Sequence, residues 1–170
     1  PTLVAIMENA NENGDEECVR YCTSALCSLS NDPVNTEEIV KDLHVLRAIA
    51  QDSWEGEDTK RSMCTVLANL TFLQASRSTL AQLGAVGSLM NYAKLDDNDT
   101  RQRCAMAFCN LSCEAAIRGK MVEDGVVAVL GALSNSYSEE NQQDCAKALC
   151  NLSCHPGAEM RIVEEGAVGA

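Results

Sequence analysis

The sequence predicts an all-α solenoid built from a helical unit repeated every 41 residues, and three markers with one shared spacing carry that prediction. The segments Ala25-Leu26-Cys27-Ser28-Leu29-Ser30, Val66-Leu67-Ala68-Asn69-Leu70-Thr71, Ala107-Phe108-Cys109-Asn110-Leu111-Ser112 and Ala148-Leu149-Cys150-Asn151-Leu152-Ser153 align without gaps, each 41 residues after the last. Gly84, Gly125 and Gly166 keep the same step, and so do the acidic residues Glu17, Asp58, Asp99 and Glu140. Independent markers with a single period point to one supersecondary unit stacked on copies of itself.

Within one unit, residues 114 to 124 read as a short helix closed by Gly125, because glycine accepts the left-handed conformation that ends a helix. Residues 126 to 133 restart as a second, apolar helix. Residues 135 to 138 are polar and turn-prone, after which Glu139 and Glu140 open a third helix, where carboxylates suit the positive end of the helix dipole. That helix runs to about Cys154. At 100° per residue it is apolar nearly all round, with one polar stripe through Asp144, Lys147 and Asn151. A helix of this kind needs cover from its own unit and from both neighbours, as stacked repeats provide. The second unit departs from the pattern, with Leu43 where the glycine would stand and Asp32-Pro33 ahead of its first helix.

Composition narrows the function classes. Apolar residues make up 46% and charged residues 22%, so the chain can bury a core, and with 4% aromatics that core is built from Leu, Val, Ala, Met and Cys. The net charge of -12 argues against nucleic acid as the main partner. No run approaches the roughly 18 apolar residues of a membrane span, and Pro1-Thr2-Leu3-Val4 does not open like a signal peptide, so a cytoplasmic location is expected, nucleus or cilium included. The ten cysteines recur inside helical patterns and fit a reducing compartment. Cys22, Cys104 and Cys145 form one expected core row, and Cys27, Cys109 and Cys150 another.

Short helix, glycine, second helix, then a third helix carrying Ala-Leu-x-Asn-Leu-Ser resembles the armadillo repeat of β-catenin and importin-α, over essentially the whole chain. The resemblance implies a right-handed α-solenoid of stacked three-helix armadillo repeats with a period of 41 residues. Its divisions are a partial repeat at 1–30, repeats at 31–71, 72–112 and 113–153, and a partial repeat at 154–170. Neither end carries the polar face of a capping repeat, so a longer array is expected around a single repeat region at 1–170.

The resemblance also implies a protein-binding scaffold and no enzyme. In the family, asparagines at the positions of Asn69, Asn110 and Asn151, with Ser28 ending the row, line a concave groove and bond the main chain of an extended peptide. An amide offers donors and an acceptor and can hold a backbone of any sequence, although it can equally bond within its own array. Tyr21, Ser24, Ser62, Thr65, Arg103, Met106, Asp144 and Lys147 flank the row and would set which peptide fits. Import adaptors carry a tryptophan four residues before the asparagine. Here Ser24, Thr65, Met106 and Lys147 stand there and Trp54 lies in a loop, so a nuclear-import signal is not the expected ligand.

Glu17, Asp58, Asp99 and Glu140, reinforced by Glu16, Glu57 and Glu139, form an acidic edge that would cap helices and could steer a basic partner. No cofactor or metal site is expected: Cys18 and Cys22 lack a second pair, and His44 and His155 have no catalytic company. The Asn-Leu-Ser/Thr triplets match glycosylation acceptors but fall mid-helix. Two other roles fit the same residues, a structural subunit of a large assembly such as a ciliary or cytoskeletal one, and an accessory region of a larger enzyme such as a ubiquitin ligase.

Overall fold

A computed structural model describes residues 2–51, 54–135 and 138–164, which form twelve helices and no strand. The repeat marker Gly166 and the beginning of the last partial repeat around it lie outside the described residues. Two compact units divide the chain, Pro1–Ser88 and Leu89–Ala170.

The first unit contains α1 (Thr2–Glu12), α2 (Glu16–Ser30), α3 (Pro33–Ile39), α4 (Leu43–Ala50), α5 (Glu57–Thr71), α6 (Gln74–Gln82) and the start of α7 (Ala85–Tyr92). The second contains the rest of α7, then α8 (Asn98–Ser112), α9 (Ala115–Glu123), α10 (Val126–Ser134), α11 (Glu139–Ser153) and α12 (Ala158–Glu164). The four third helices, α2, α5, α8 and α11, are each 15 residues long. α2 packs on α5 in the first unit, and α8 on α11 in the second.

These helices start at equivalent positions, preceded by Asp15, Gly56, Asp97 and Ser138. Three of the four supply a capping oxygen: Asp15 accepts from the Cys18 amide at 3.0 Å, Asp97 from the Thr100 amide at 2.8 Å and Ser138 from the Asn141 amide at 3.3 Å. The acidic row sits one or two residues inside the helix, where it complements the dipole without capping it.

The helix ends repeat as well. Thr36 Oγ1 donates to the Ser30 carbonyl at 3.0 Å, Arg77 Nε to the Thr71 carbonyl at 2.7 Å, and Arg118 Nε to the Ser112 carbonyl at 2.7 Å. Each donor lies six residues beyond the last residue of a third helix and satisfies one of the carbonyls that a helix end leaves open.

The bend between first and second helices uses two devices. Gly84 and Gly125 have φ of 103° and 87°, the left-handed turn that glycine accepts. Where Leu43 replaces the glycine, the bend forms without positive φ. Asp42, in extended conformation, accepts from the amides of His44 at 3.0 Å and Val45 at 3.2 Å and caps α4 instead.

Leu70, Leu111 and Leu152 are fully buried, as the shared core requires, whereas the equivalent Leu29 is 45% exposed. α11 is likewise less covered than its sequence suggests: Ala146 and Cys150 are exposed and Leu149 half-buried, while Ala105 and Phe108 on α8 are buried. α8 covers one flank of α11, and the stripe is therefore not its only accessible face.

Candidate functional site

The asparagine row emerges half-buried on α5, α8 and α11. In the first unit, Asn69 Nδ2 donates to Ser30 Oγ and to Asn31 Oδ1, each at 3.0 Å. Ser30 spends its own proton on the Cys27 carbonyl at 2.9 Å, so only its lone pairs face Asn69. With the Ser30 proton so placed, the Asn69 amide is assigned with its NH2 toward α2. Among the described residues, no donor reaches Asn69 Oδ1.

The second unit repeats this arrangement. Asn151 Nδ2 donates to Ser112 Oγ at 3.0 Å and lies 3.7 Å from Cys113 Sγ, and Ser112 Oγ donates to the Cys109 carbonyl at 2.7 Å. In both pairs the serine two residues after the asparagine position is the acceptor for the asparagine one repeat later. The amides of Asn69 and Asn151 therefore direct their NH2 groups to partners within the array. Asn110 is half-buried at the equivalent place on α8.

The flanking residues divide by unit. In the first, Tyr21 is 60% exposed, donates to Glu17 Oε1 at 2.9 Å and carries the Arg20 guanidinium 4.9 Å above its ring. Ser24 and Ser28 are exposed on the same helix, and the Ser28 hydroxyl donates to the Ser24 carbonyl at 3.0 Å. Ser62 is half-buried. Thr65 is buried and donates to the Arg61 carbonyl at 3.1 Å, which ties it to its own helix.

In the second unit the structure brings Arg103, Met106, Asp144 and Lys147 together around one shallow depression of about 460 Å³ between α8 and α11. Lys147 pairs with Asp144 at 3.5 Å, and Gln102 Nε2 donates to Glu140 Oε2 at 2.8 Å on its rim. A second depression of about 540 Å³ lies between the starts of α2 and α5, where Glu16, Glu17, Glu55, Glu57 and Asp58 outnumber Arg20. Arg61 forks across Glu57 at 2.9 Å and Asp58 at 2.7 Å.

Other sequence candidates fall elsewhere. Trp54 is buried, its indole N–H donating to the Ala48 carbonyl at 2.9 Å, and so packs as core. Cys22, Cys104 and Cys145 are buried, and burial with neighbouring Asp144 and Cys109 pushes the Cys145 thiol up to about 12. The second cysteine row is not core: Cys27 and Cys109 are half-buried and Cys150 exposed, because it runs along the less covered flank. Among the described residues no group of His, Cys, Asp and Glu could hold a metal ion, and no helix is long and apolar enough to cross a membrane.

Sequence reasoning missed Ser30 and Ser112 as partners of the row and Arg77 and Arg118 as helix-end caps. The signal was present, since both pairs keep the repeat register.

No protein-family model and no curated protein matches the sequence. Solved structures do. One engineered protein is 21% identical with a TM-score of 0.75, the match covering 99% of this chain and 69% of that one. A designed armadillo repeat protein in complex with the peptide (KR)4 is 18% identical with a TM-score of 0.74, covering 98% of this chain and 70% of its own. A computationally designed armadillo repeat protein for modular peptide recognition is 18% identical with a TM-score of 0.78 over the same shares. Helix order, repeat spacing and these likenesses together give the chain the armadillo-repeat fold.

Proposed function

We propose that the chain is a non-enzymatic binding scaffold that holds an extended segment of a partner protein over its third helices, on α2 and α5 in the first unit and on α8 and α11 in the second. The observation that carries this reading is the repeated geometry of Asn69 and Asn151, half-buried on third helices and each held by a hydrogen bond to a serine of the preceding third helix. A fixed polar group at repeat spacing suits a main chain, which offers the same hydrogen-bonding groups whatever its sequence.

Charge supports a basic segment. The chain carries 25 acidic against 13 basic residues, and five carboxylates gather at the starts of α2 and α5, against the two arginines Arg20 and Arg61. The designed neighbour in complex with (KR)4 shows what this fold accommodates elsewhere at low identity. Steering here comes from carboxylates, without the tryptophan row of import adaptors.

Selection of a random peptide-display library on the immobilised chain tests the reading, with an Asn69→Ala, Asn110→Ala, Asn151→Ala variant of equal helicity as the counter-target. Enriched peptides should be basic and should lose binding to the variant. Enrichment of peptides that hold the variant equally well would move the binding surface off the third helices.

A further inference from the structure

Away from the asparagine row, the second unit holds a further groove of about 720 Å³, lined from α7, the start of α8 and the end of α10. Part of its wall is apolar, with Met90 and Val129 half-buried and Leu133 buried. Lys94 and Arg101 line it too, and among the described residues no carboxylate does. On a chain of net charge -12 that is unusual, and the sequence shows how it arises. The helices α2, α5 and α11 open on Glu16, Glu57 and Glu139, whereas α8 opens on Asn98, which faces this groove.

Both cations can take a new partner. Lys94 donates one N–H to Asn91 Oδ1 at 2.8 Å, and an ammonium group has three. Arg101 pairs at 3.3 Å with Asp96, whose side chain is fully exposed, and a surface pair of that kind is weak enough to exchange for another carboxylate. The wall opposite is held in place before any ligand arrives. Buried Asn141 donates from Nδ2 to the Leu133 carbonyl at 2.7 Å and from its main-chain N–H to Ser138 Oγ at 3.3 Å, and Leu133 and Ser138 both line the groove.

We propose that this groove docks an acidic segment of a partner protein, with an aliphatic side chain seated against Met90, Val129 and Leu133 and a neighbouring carboxylate on Lys94 and Arg101. Charge complementarity selects this occupant, because a basic segment would set like charges together at Lys94 and Arg101. Lys94 and Ala132 are exposed, so the groove is open and a polypeptide can pass across it. The site differs in place and in partner chemistry from the asparagine row, and neither depends on the other.

The test is a titration of the 15N-labelled chain with an acetylated (Leu-Glu)4 peptide, followed by amide chemical shifts. It is run at about 0.15 M salt, where charges more than about 8 Å away are largely screened and the net charge of the chain repels the peptide little. Saturable shifts should be largest at the amides of Ala93, Lys94, Ala132 and Leu133. The uncharged (Leu-Gln)4 peptide should bind at least about threefold more weakly, and a Lys94→Glu, Arg101→Glu variant of equal helicity should bind (Leu-Glu)4 at least about tenfold more weakly. Shifts that are absent, or that centre elsewhere, would overturn the proposal without recourse to any variant. Equal affinity for the two peptides would remove the role of the cations and overturn it as well. Saturation of the same amides by hexanoate at the same concentrations would assign the groove to a small amphiphilic carboxylate instead, and the same shifts on concentrating the chain alone would assign it to a second copy. None of these outcomes bears on the asparagine row.

Discussion

Asn151 donates its side-chain amide to the hydroxyl of Ser112, 3.0 Å away on the adjacent third helix, and Asn69 makes the same bond to Ser30 at the same distance. In each unit, therefore, the serine two residues after the asparagine position accepts from the asparagine one repeat later. Replacing Ser112 by Ala removes that acceptor and the serine's own bond to Cys109. The expected cost is about 1 kcal/mol, because Asn151 is half-buried and water can partly compensate. Urea unfolding measures it, and an unchanged midpoint would show that the bond contributes nothing to stability.

Leu111 is fully buried and Leu29, its equivalent two repeats earlier, is 45% exposed. Leu111→Ala should therefore destabilise by about 2 to 5 kcal/mol, and Leu29→Ala by less than about 1 kcal/mol. Equal losses in the two variants would be incompatible with the burial described.

Asp42 closes the bend that glycine makes in the other repeats, by accepting from the amides of His44 and Val45. Asp42→Ala should cost about 1 kcal/mol, the usual value of a lost helix cap. Asp42→Asn, which keeps the accepting oxygen, should restore most of it. A loss of the same size in both variants would mean that charge, and not capping, is what Asp42 supplies.

Burial, with smaller contributions from Asp144 and Cys109, raises the Cys145 thiol from 9.0 to about 12. Below pH 9 the thiol is protonated in folded and unfolded chains alike, and its packing contributes in full. Between about pH 9 and 12 the unfolded chain releases this proton and the folded chain does not, so stability falls as pH rises through that window. Stability measured across it should decline less steeply for Cys145→Ala than for the wild type. Identical slopes would place the thiol in a wetter environment. At pH 8, iodoacetamide should modify the exposed Cys113 and Cys154 well before Cys145.

The period, the helix order and the glycine turns at Gly84 and Gly125 were legible in the sequence, because apolar spacing and a conformational requirement speak through residue type. The bend at Leu43 was not, since an aspartate cap at Asp42 takes over a role that the other repeats give to glycine. The direction of the asparagine amides was also hidden. It depends on where Ser30 and Ser112 send their protons, and only a folded neighbour decides that. Thr65 matched the polar stripe by helical angle yet is buried with its hydroxyl on Arg61, because a stripe position near a helix contact can face inward. Arg103, Met106, Asp144 and Lys147, four residues of that stripe, do surround one depression.

On the proposed reading, the third-helix asparagines hold an extended basic segment. Its most direct test is the affinity of a labelled (Lys-Arg)4 peptide for the wild-type chain and for the Asn69→Ala, Asn110→Ala, Asn151→Ala variant, at low salt and with matched helicity. Saturable binding by the wild type, weakened at least about tenfold in the variant, is the predicted result, since two or three hydrogen bonds are removed. Equal affinity in the two proteins would show that the asparagines do not hold the segment.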